Sequence, residues 1–300
     1  MARSPTFITH PSGQTTHYIA DDFTDPWKPR ETVLIQGGFA RHAGFFYHWV
    51  PALSRRYNVI RRDPRGHGLS SAPSVADNPQ AYTLDAILGD IIDTLDQLGI
   101  EKVHFFGEST SGLIGEIFAA KFPGRLLSLT VCSSPTYLPI ATQQFLAMDC
   151  ESWPSACRKL GARGWAKKLA ELPGTTTAPD EAYSNWWLDQ ISISSGEGLA
   201  SYAEFLSTVD SRPYLSQISV PMLILAPTRS AATKLDEQRA IQAEVRNCKL
   251  VIIDGPGHEI IMEAAEACQK AFLTFLDGIR KHKTDDSKNT QGQLPLRARL

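Results

Sequence analysis

The run Val103-His104-Phe105-Phe106-Gly107-Glu108-Ser109-Thr110-Ser111-Gly112-Leu113-Ile114-Gly115 places a hydroxyl among small residues at a defined spacing. An apolar strand enters Gly107, Ser109 follows two residues later, and a helix with small residues on its first turn leaves. A sharp strand-to-helix turn of this kind forces the serine into a strained backbone conformation. It lifts the hydroxyl above the sheet edge, where it can serve as a nucleophile. Strand and helix collide unless the residues two before and two after the serine are small, and Gly107 and Ser111 meet that demand. Three further segments are punctuated by glycine. Val33-Leu34-Ile35-Gln36-Gly37-Gly38-Phe39 ends a strand in paired glycines whose backbone N–H groups could point at an anion. Asp63-Pro64-Arg65-Gly66-His67-Gly68-Leu69-Ser70 is a tight turn, and Asp254-Gly255-Pro256-Gly257-His258 brings a histidine out on a glycine loop.

These segments need a scaffold. Apolar, β-rich runs alternate with helical periodicity, which predicts an α/β fold with a largely parallel sheet. Strands are expected at 32–36, 57–61, 103–106, 126–132, 222–226 and 249–253. Leu84, Ile87, Ile91, Leu95 and Leu98 recur at helical spacing, with Thr83 as N-cap and Gly99 as the stop. Cys268, Ala271, Phe272, Phe275, Leu276 and Ile279 form the apolar stripe of a last helix. The alternation breaks over 137–212, which reads as helical, strand-free and interrupted by Pro139, Pro154, Pro173 and Pro179. Four of the six tryptophans fall there: Trp153, Trp165, Trp186 and Trp187. They build either the core of a small helical module or the aromatic underside of a lid over an apolar pocket, with Trp186 and Trp187 expected to touch the substrate. The chain thus divides into a core over 1–136 and 213–280, a helical lid over 137–212, and a flexible tail over 281–300.

Composition narrows the partners. The chain has 300 residues, 42% hydrophobic and 21% charged, with 30 Lys+Arg against 32 Asp+Glu. A chain this apolar and this near neutrality collapses, so wholesale disorder is excluded. It lacks the basic surplus that nucleic-acid binding needs, and a small-molecule partner is expected. Residues 278–300 carry six Lys/Arg and two Asp, so the remaining body is mildly acidic. Five scattered cysteines (Cys132, Cys150, Cys157, Cys248, Cys268) form neither a disulfide framework nor a zinc spacing. Residues 1–10 lack the apolar stretch of a secretory signal, and no run has the length of a membrane span, which predicts an intracellular protein with reduced thiols. The final Ala298-Arg299-Leu300 belongs to the type of the Ser-Lys-Leu peroxisomal address, which predicts recognition by the peroxisomal import receptor, with the cytoplasm as the other location.

The order and spacing of the four segments resemble the α/β-hydrolase superfamily over roughly residues 30–280, including a lid where that family often inserts one. The resemblance implies Ser109 as nucleophile and His258 as the general base that takes its proton and returns it to the leaving group. It implies an oxyanion hole from the backbone N–H groups of Gly38 and Thr110. Gln36 stands where the family usually has histidine, and Ser111 where the strict motif has glycine. No metal or organic cofactor is implied.

The triad's acid is the departure. The family usually places it after the strand at 222–226, where this chain has Ser230, or after the strand ending near Cys132, where it has Ser133-Ser134-Pro135-Thr136. Asp236 is the expected substitute, with Glu237, Asp210 and Glu259 as further options, and Asp254 is expected to brace the histidine loop. The function implied is hydrolysis of a carboxylic ester, thioester or lactone of a small, largely apolar substrate through an acyl-enzyme on Ser109. The alternatives are carbon–carbon bond hydrolysis by the same Ser–His pair and a ligand-binding member that has lost efficient catalysis. The chain as a whole resembles fungal hydrolases encoded with secondary-metabolite and toxin pathways.

Overall fold

The computed structural model describes residues 4–291. Eight strands form one sheet: β1 (Thr6–Thr9), β2 (Thr15–Asp21), β3 (Glu31–Gln36), β4 (Tyr57–Arg62), β5 (Val103–Glu108), β6 (Leu126–Cys132), β7 (Met222–Pro227) and β8 (Cys248–Ile253). Their order is β1-β2-β4-β3-β5-β6-β7-β8. β1 and β2 pair antiparallel at one edge, and every pairing from β4 to β8 is parallel. The six parallel strands fall where the apolar runs predicted them. The two antiparallel edge strands went unread because sequences such as Thr6-Phe7-Ile8-Thr9 bury one face at most and carry no continuous apolar run.

The helices are α1 (Val50–Leu53), α2 (Leu84–Gln97), α3 (Thr110–Lys121), α4 (Ile140–Leu146), α5 (Trp153–Ala170), α6 (Glu181–Ile191), α7 (Gly196–Leu206), α8 (Leu235–Glu244), α9 (Ile260–Glu263) and α10 (Ala265–Gln291). Thr83 caps α2, its Oγ1 accepting the N–H of Ala86 at 3.2 Å, and Gly99 ends that helix at φ 65°. α3, leaving β5 at the middle of the sheet, is buried from Thr110 to Ala119 and carries small and apolar residues there except Glu116, whose carboxylate accepts from Ser211 Oγ. On α10, Cys268, Phe272 and Leu276 are fully buried. That helix runs on to Gln291, beyond the boundary expected at 281. The sequence has neither glycine nor proline between Gly278 and Gly292 to stop it. Ala298-Arg299-Leu300 lies outside the described residues.

Between β6 and β7 the chain inserts α4 to α7. An isolated bridge between Tyr137 and Asp210, with the N–H of Ser211 donating to Thr136 O at 2.8 Å, closes the neck of the insertion. All five cysteines are free thiols. Among the described residues no helix is long and apolar enough to cross a membrane.

Candidate active site

Ser109 sits between β5 and α3 at φ 49° and ψ −125°, a conformation that L-residues rarely adopt. The turn is as tight as the motif requires: a Cβ on Gly107 would lie 2.5 Å from the carbonyl oxygen of Ser111. The two departures at this turn bond to each other. Gln36 Nε2 donates to Ser111 Oγ at 2.9 Å, and Ser111 Oγ donates to Gly37 O at 2.6 Å. Arg62 Nη1 donates to Gln36 Oε1 at 2.6 Å, so the amide is held at both ends. The Asp63 turn braces the same loop: Asp63 Oδ1 accepts the N–H of Ala43 at 2.7 Å and Oδ2 that of Leu69 at 2.9 Å. Gly68, at φ 54°, leaves room for that carboxylate, which a Cβ would meet at 2.1 Å.

His258 leaves β8 on its glycine loop and is fixed from two sides. Its N–H donates to Thr175 O of the insertion at 3.0 Å, and Ser133 Oγ donates to its carbonyl at 2.8 Å. Its Nε2 lies 2.9 Å from Ser109 Oγ, so the two residues read from sequence as nucleophile and base meet. Its Nδ1 lies 2.9 Å from Ser230 Oγ. That oxygen also accepts from the N–H groups of Ala232 and Thr233 and from Thr233 Oγ1, each at 3.1 Å. Burial pulls the imidazole down to about 4, the nearby Glu259 charge opposing that fall and Arg41 adding to it.

Among the described residues no carboxylate reaches Nδ1. Asp236, the expected acid, points into solvent from the first turn of α8 and pairs with Arg239, because that turn faces away from the histidine. Glu237 caps α8 through the N–H of Lys234, and Asp210 pairs with Arg212 at the neck of the insertion. Asp254 ties the β7 and β8 loops together, accepting from Thr228 Oγ1 at 2.9 Å and Arg229 Nη2 at 3.0 Å. Glu259 is buried but turned away: it pairs with Arg41, and Trp187 Nε1 donates to its Oε2 at 2.9 Å.

The anion cradle differs from the expected one in one respect. Thr110 opens α3, where N–H groups lack intrahelical acceptors and the helix dipole favours negative charge. Gly38 approaches so closely that a Cβ on it would lie 2.7 Å from Ser109 Cβ. Its N–H, however, donates to Glu108 Oε2 at 2.6 Å and is therefore already engaged. Glu108 is buried beside the nucleophile, and its carboxylate takes the nearest donor. Desolvation raises Glu108 to about 7, with Arg41 and the Gly38 bond opposing that rise. The sequence shows Glu108 within the serine motif but not the direction of its side chain.

The family described as alpha/beta hydrolase fold matches residues 31–265. The chain belongs to that family. Among curated relatives, this α/β-hydrolase is 29% identical over 253 residues to 3-oxoadipate enol-lactonase 1 of Acinetobacter baylyi, covering 83% of this chain and 89% of the relative. To 3-oxoadipate enol-lactonase 2 of the same organism it is 25% identical over 231 residues, covering 75% and 81%. Among solved structures, the enol-lactonase from Burkholderia xenovorans LB400 superposes with a TM-score of 0.79 at 25% identity, covering 91% of this chain and all of the other.

In this α/β-hydrolase the insertion roofs a cavity of about 80 Å³ whose floor is Ser109, Thr110 and His258. Its apolar wall includes Phe39, Leu138, Phe145, Trp153 and Trp165. Trp153 and Trp165 stack edge-on against Phe39, with ring centroids 4.4 and 5.1 Å away. Trp186 and Trp187, the aromatics expected at the substrate, do not line it. Trp186 packs on Phe45 and Tyr47, and Trp187 is buried over Arg41 and Glu259. The helical register of α6 turns both away, while α5 turns its pair inward. Among the described residues no cluster of three or more His, Cys, Asp or Glu could hold a metal ion.

Proposed function

We propose that this hydrolase cleaves a carboxylic ester, thioester or lactone through an acyl-enzyme on Ser109. The observation that carries the reading is the strained Ser109 with its Oγ 2.9 Å from His258 Nε2. Ser109 Oγ attacks the acyl carbon while His258 Nε2 receives its proton. The carbonyl oxygen becomes an oxyanion beside the Thr110 N–H, and the Gly38 N–H joins as Glu108 releases it. The bond to the leaving group then breaks, with the proton on His258 available to the departing atom. Water attacks the acyl-enzyme by the same route and regenerates Ser109.

The insertion acts as a lid whose Trp153 and Trp165 select an apolar acyl body, which fits the wall of the cavity. Names of the enol-lactonase relatives agree with a lactone or ester bond as the target. Steady-state hydrolysis of nitrophenyl esters and acyl thioesters tests the reading: turnover that vanishes in Ser109→Ala supports it, and turnover unchanged in that variant refutes it.

A second reading, a binding protein with the same pocket, is favoured by two observations: a hydroxyl at His258 Nδ1 and a carboxylate on the Gly38 N–H. It predicts saturable ligand binding with no turnover of any ester. Service in a secondary-metabolite pathway and peroxisomal import through Ala298-Arg299-Leu300 complete the proposal and rest on sequence resemblance alone. Fluorescence microscopy of an N-terminally tagged chain, with and without the tripeptide, tests the import: peroxisomal puncta that disappear on deletion support it, and a diffuse signal from both counts against it.

A further inference from the structure

The partner of His258 Nδ1 sets what this site can cleave. Three donors converge on Ser230 Oγ at 3.1 Å: the N–H groups of Ala232 and Thr233 and the hydroxyl of Thr233. A hydroxyl oxygen offers two lone pairs and one hydrogen. Its acceptor capacity is therefore filled, and the hydrogen it has left meets Nδ1 at 2.9 Å. With Nδ1 accepting, neutral His258 carries its proton on Nε2, facing Ser109 Oγ, which is the form that cannot take the serine's proton. To act as base the ring must shift to Nδ1–H against a crowded oxygen, and the imidazolium formed during attack has no carboxylate at Nδ1. Glu259 and Glu108, the acids that line the cavity with His258, are held by Arg41 with Trp187 and by Gly38, and Glu263 accepts the N–H groups of Thr177 and Gly257. Burial adds to the difficulty by weakening the base.

We propose that Ser230 is the neutral positioning residue of a Ser109–His258–Ser230 array, and that the substrate is accordingly an activated acyl compound, a thioester or an enol or aryl ester or lactone. The inference rests on the acyl-enzyme reading above. In such compounds the acyl carbon is electrophilic enough for a poorly activated hydroxyl. The carbon–sulfur or carbon–oxygen bond breaks with its electron pair leaving as a thiolate or enolate, and the proton gathered by His258 passes to that anion or to water. Thiols and phenols ionise near roughly 8.5 and 10, whereas bulk water, a guide to alcohols, ionises only near roughly 15.7, which marks how poorly an alkoxide leaves.

The test is a series of esters of one acyl group, from nitrophenyl through phenyl to alkyl, together with the matching thioester, hydrolysed by the wild type and by Ser230→Asp. An aspartate at 230 would accept the same two backbone N–H groups and supply the missing charge. In the wild type kcat/KM falls at least about a hundredfold from nitrophenyl to alkyl ester, and in Ser230→Asp the fall is at least about tenfold smaller. Imidazole ¹⁵N shifts of His258 give a second readout: Nε2–H in the wild type and Nδ1–H in Ser230→Asp. A wild type that cleaves alkyl and aryl esters alike, or that shows Nδ1–H, overturns the proposal while leaving the hydrolase reading intact. Absence of turnover across the whole series, thioester included, would instead overturn the acyl-enzyme reading on which it rests.

Discussion

Two loops of this site depart from the pattern of their family, and they do so with opposite results. At the foot of α3, Gln36 and Ser111 replace a histidine and a glycine, yet the pair bonds at 2.9 Å and Arg62 anchors the amide from behind. Beyond β7, Ser230 stands where a carboxylate is usual and reaches His258 Nδ1 at the same 2.9 Å. The first exchange brings a polar contact of its own, and the strained Ser109 turn is retained. The second keeps the distance and loses the charge. A hydrogen-bond network can be rebuilt from different side chains, because its net worth lies in satisfied donors and acceptors. A missing anion beside an imidazolium cannot be rebuilt by a hydroxyl, because the stabilisation is electrostatic.

Removing the reacting groups comes first in size. Ser109→Ala and His258→Ala are each expected to lower kcat/KM on an activated ester by about 10³-fold or more, read from initial rates with circular dichroism confirming the fold. Restoring the charge is next: Ser230→Asp should raise kcat/KM on an alkyl ester by about 10²- to 10³-fold, short of the roughly 10⁴ that a triad loses with its acid. A drop in rate would mean that the β7 loop is not the deficient one.

The pH profile separates the base from the cradle. His258, held down at about 4, is neutral and basic above that value, so activity rises with pH through about 4. Glu108, raised to about 7, ionises above it and holds the Gly38 N–H more tightly, so activity falls with pH through about 7. The expected kcat/KM profile is a bell between these limits. Glu108→Gln should abolish the alkaline limb and leave the acid limb in place; an unchanged alkaline limb would detach Glu108 from the oxyanion site. The smallest effect is at the foot of α3. A double-mutant cycle on Gln36→Ala and Ser111→Gly, followed by thermal denaturation, is expected to give a coupling of about 1 kcal/mol. Additive losses would show that the two departures are unrelated.

Backbone constraints made much of this legible in the sequence. Gly107, Gly66, Gly68 and the strand-to-helix spacing around Ser109 are dictated by close approach and by turn geometry, which only small residues permit. The parallel strands β3 to β7 show as apolar runs because both of their faces are largely buried, and the edge strand β8 keeps its apolar run though Lys249 and Ile252 are exposed. What stayed hidden depends on side-chain direction or on one-sided burial. β1 buries only Ile8, and β2 buries the polar Thr16, His17 and Asp21, so neither leaves an apolar run. The rotation of α5 against that of α6 decides that Trp153 and Trp165 line the cavity while Trp187 holds Glu259, and helical spacing alone does not fix that rotation. The turn of Glu108 onto the Gly38 N–H is a rotamer choice in a buried pocket. The place of the acid read as empty in the sequence, and the structure fills it with the hydroxyl of Ser230 rather than the carboxylate of Asp236.

Acylation of Ser109 is tested most directly by peptide-mapping mass spectrometry after exposure to a fluorophosphonate. A single adduct is expected, on the peptide containing Ser109, lost in Ser109→Ala and formed faster in Ser230→Asp. A folded wild type that gains no adduct at Ser109, or that labels elsewhere at the same rate, would contradict it.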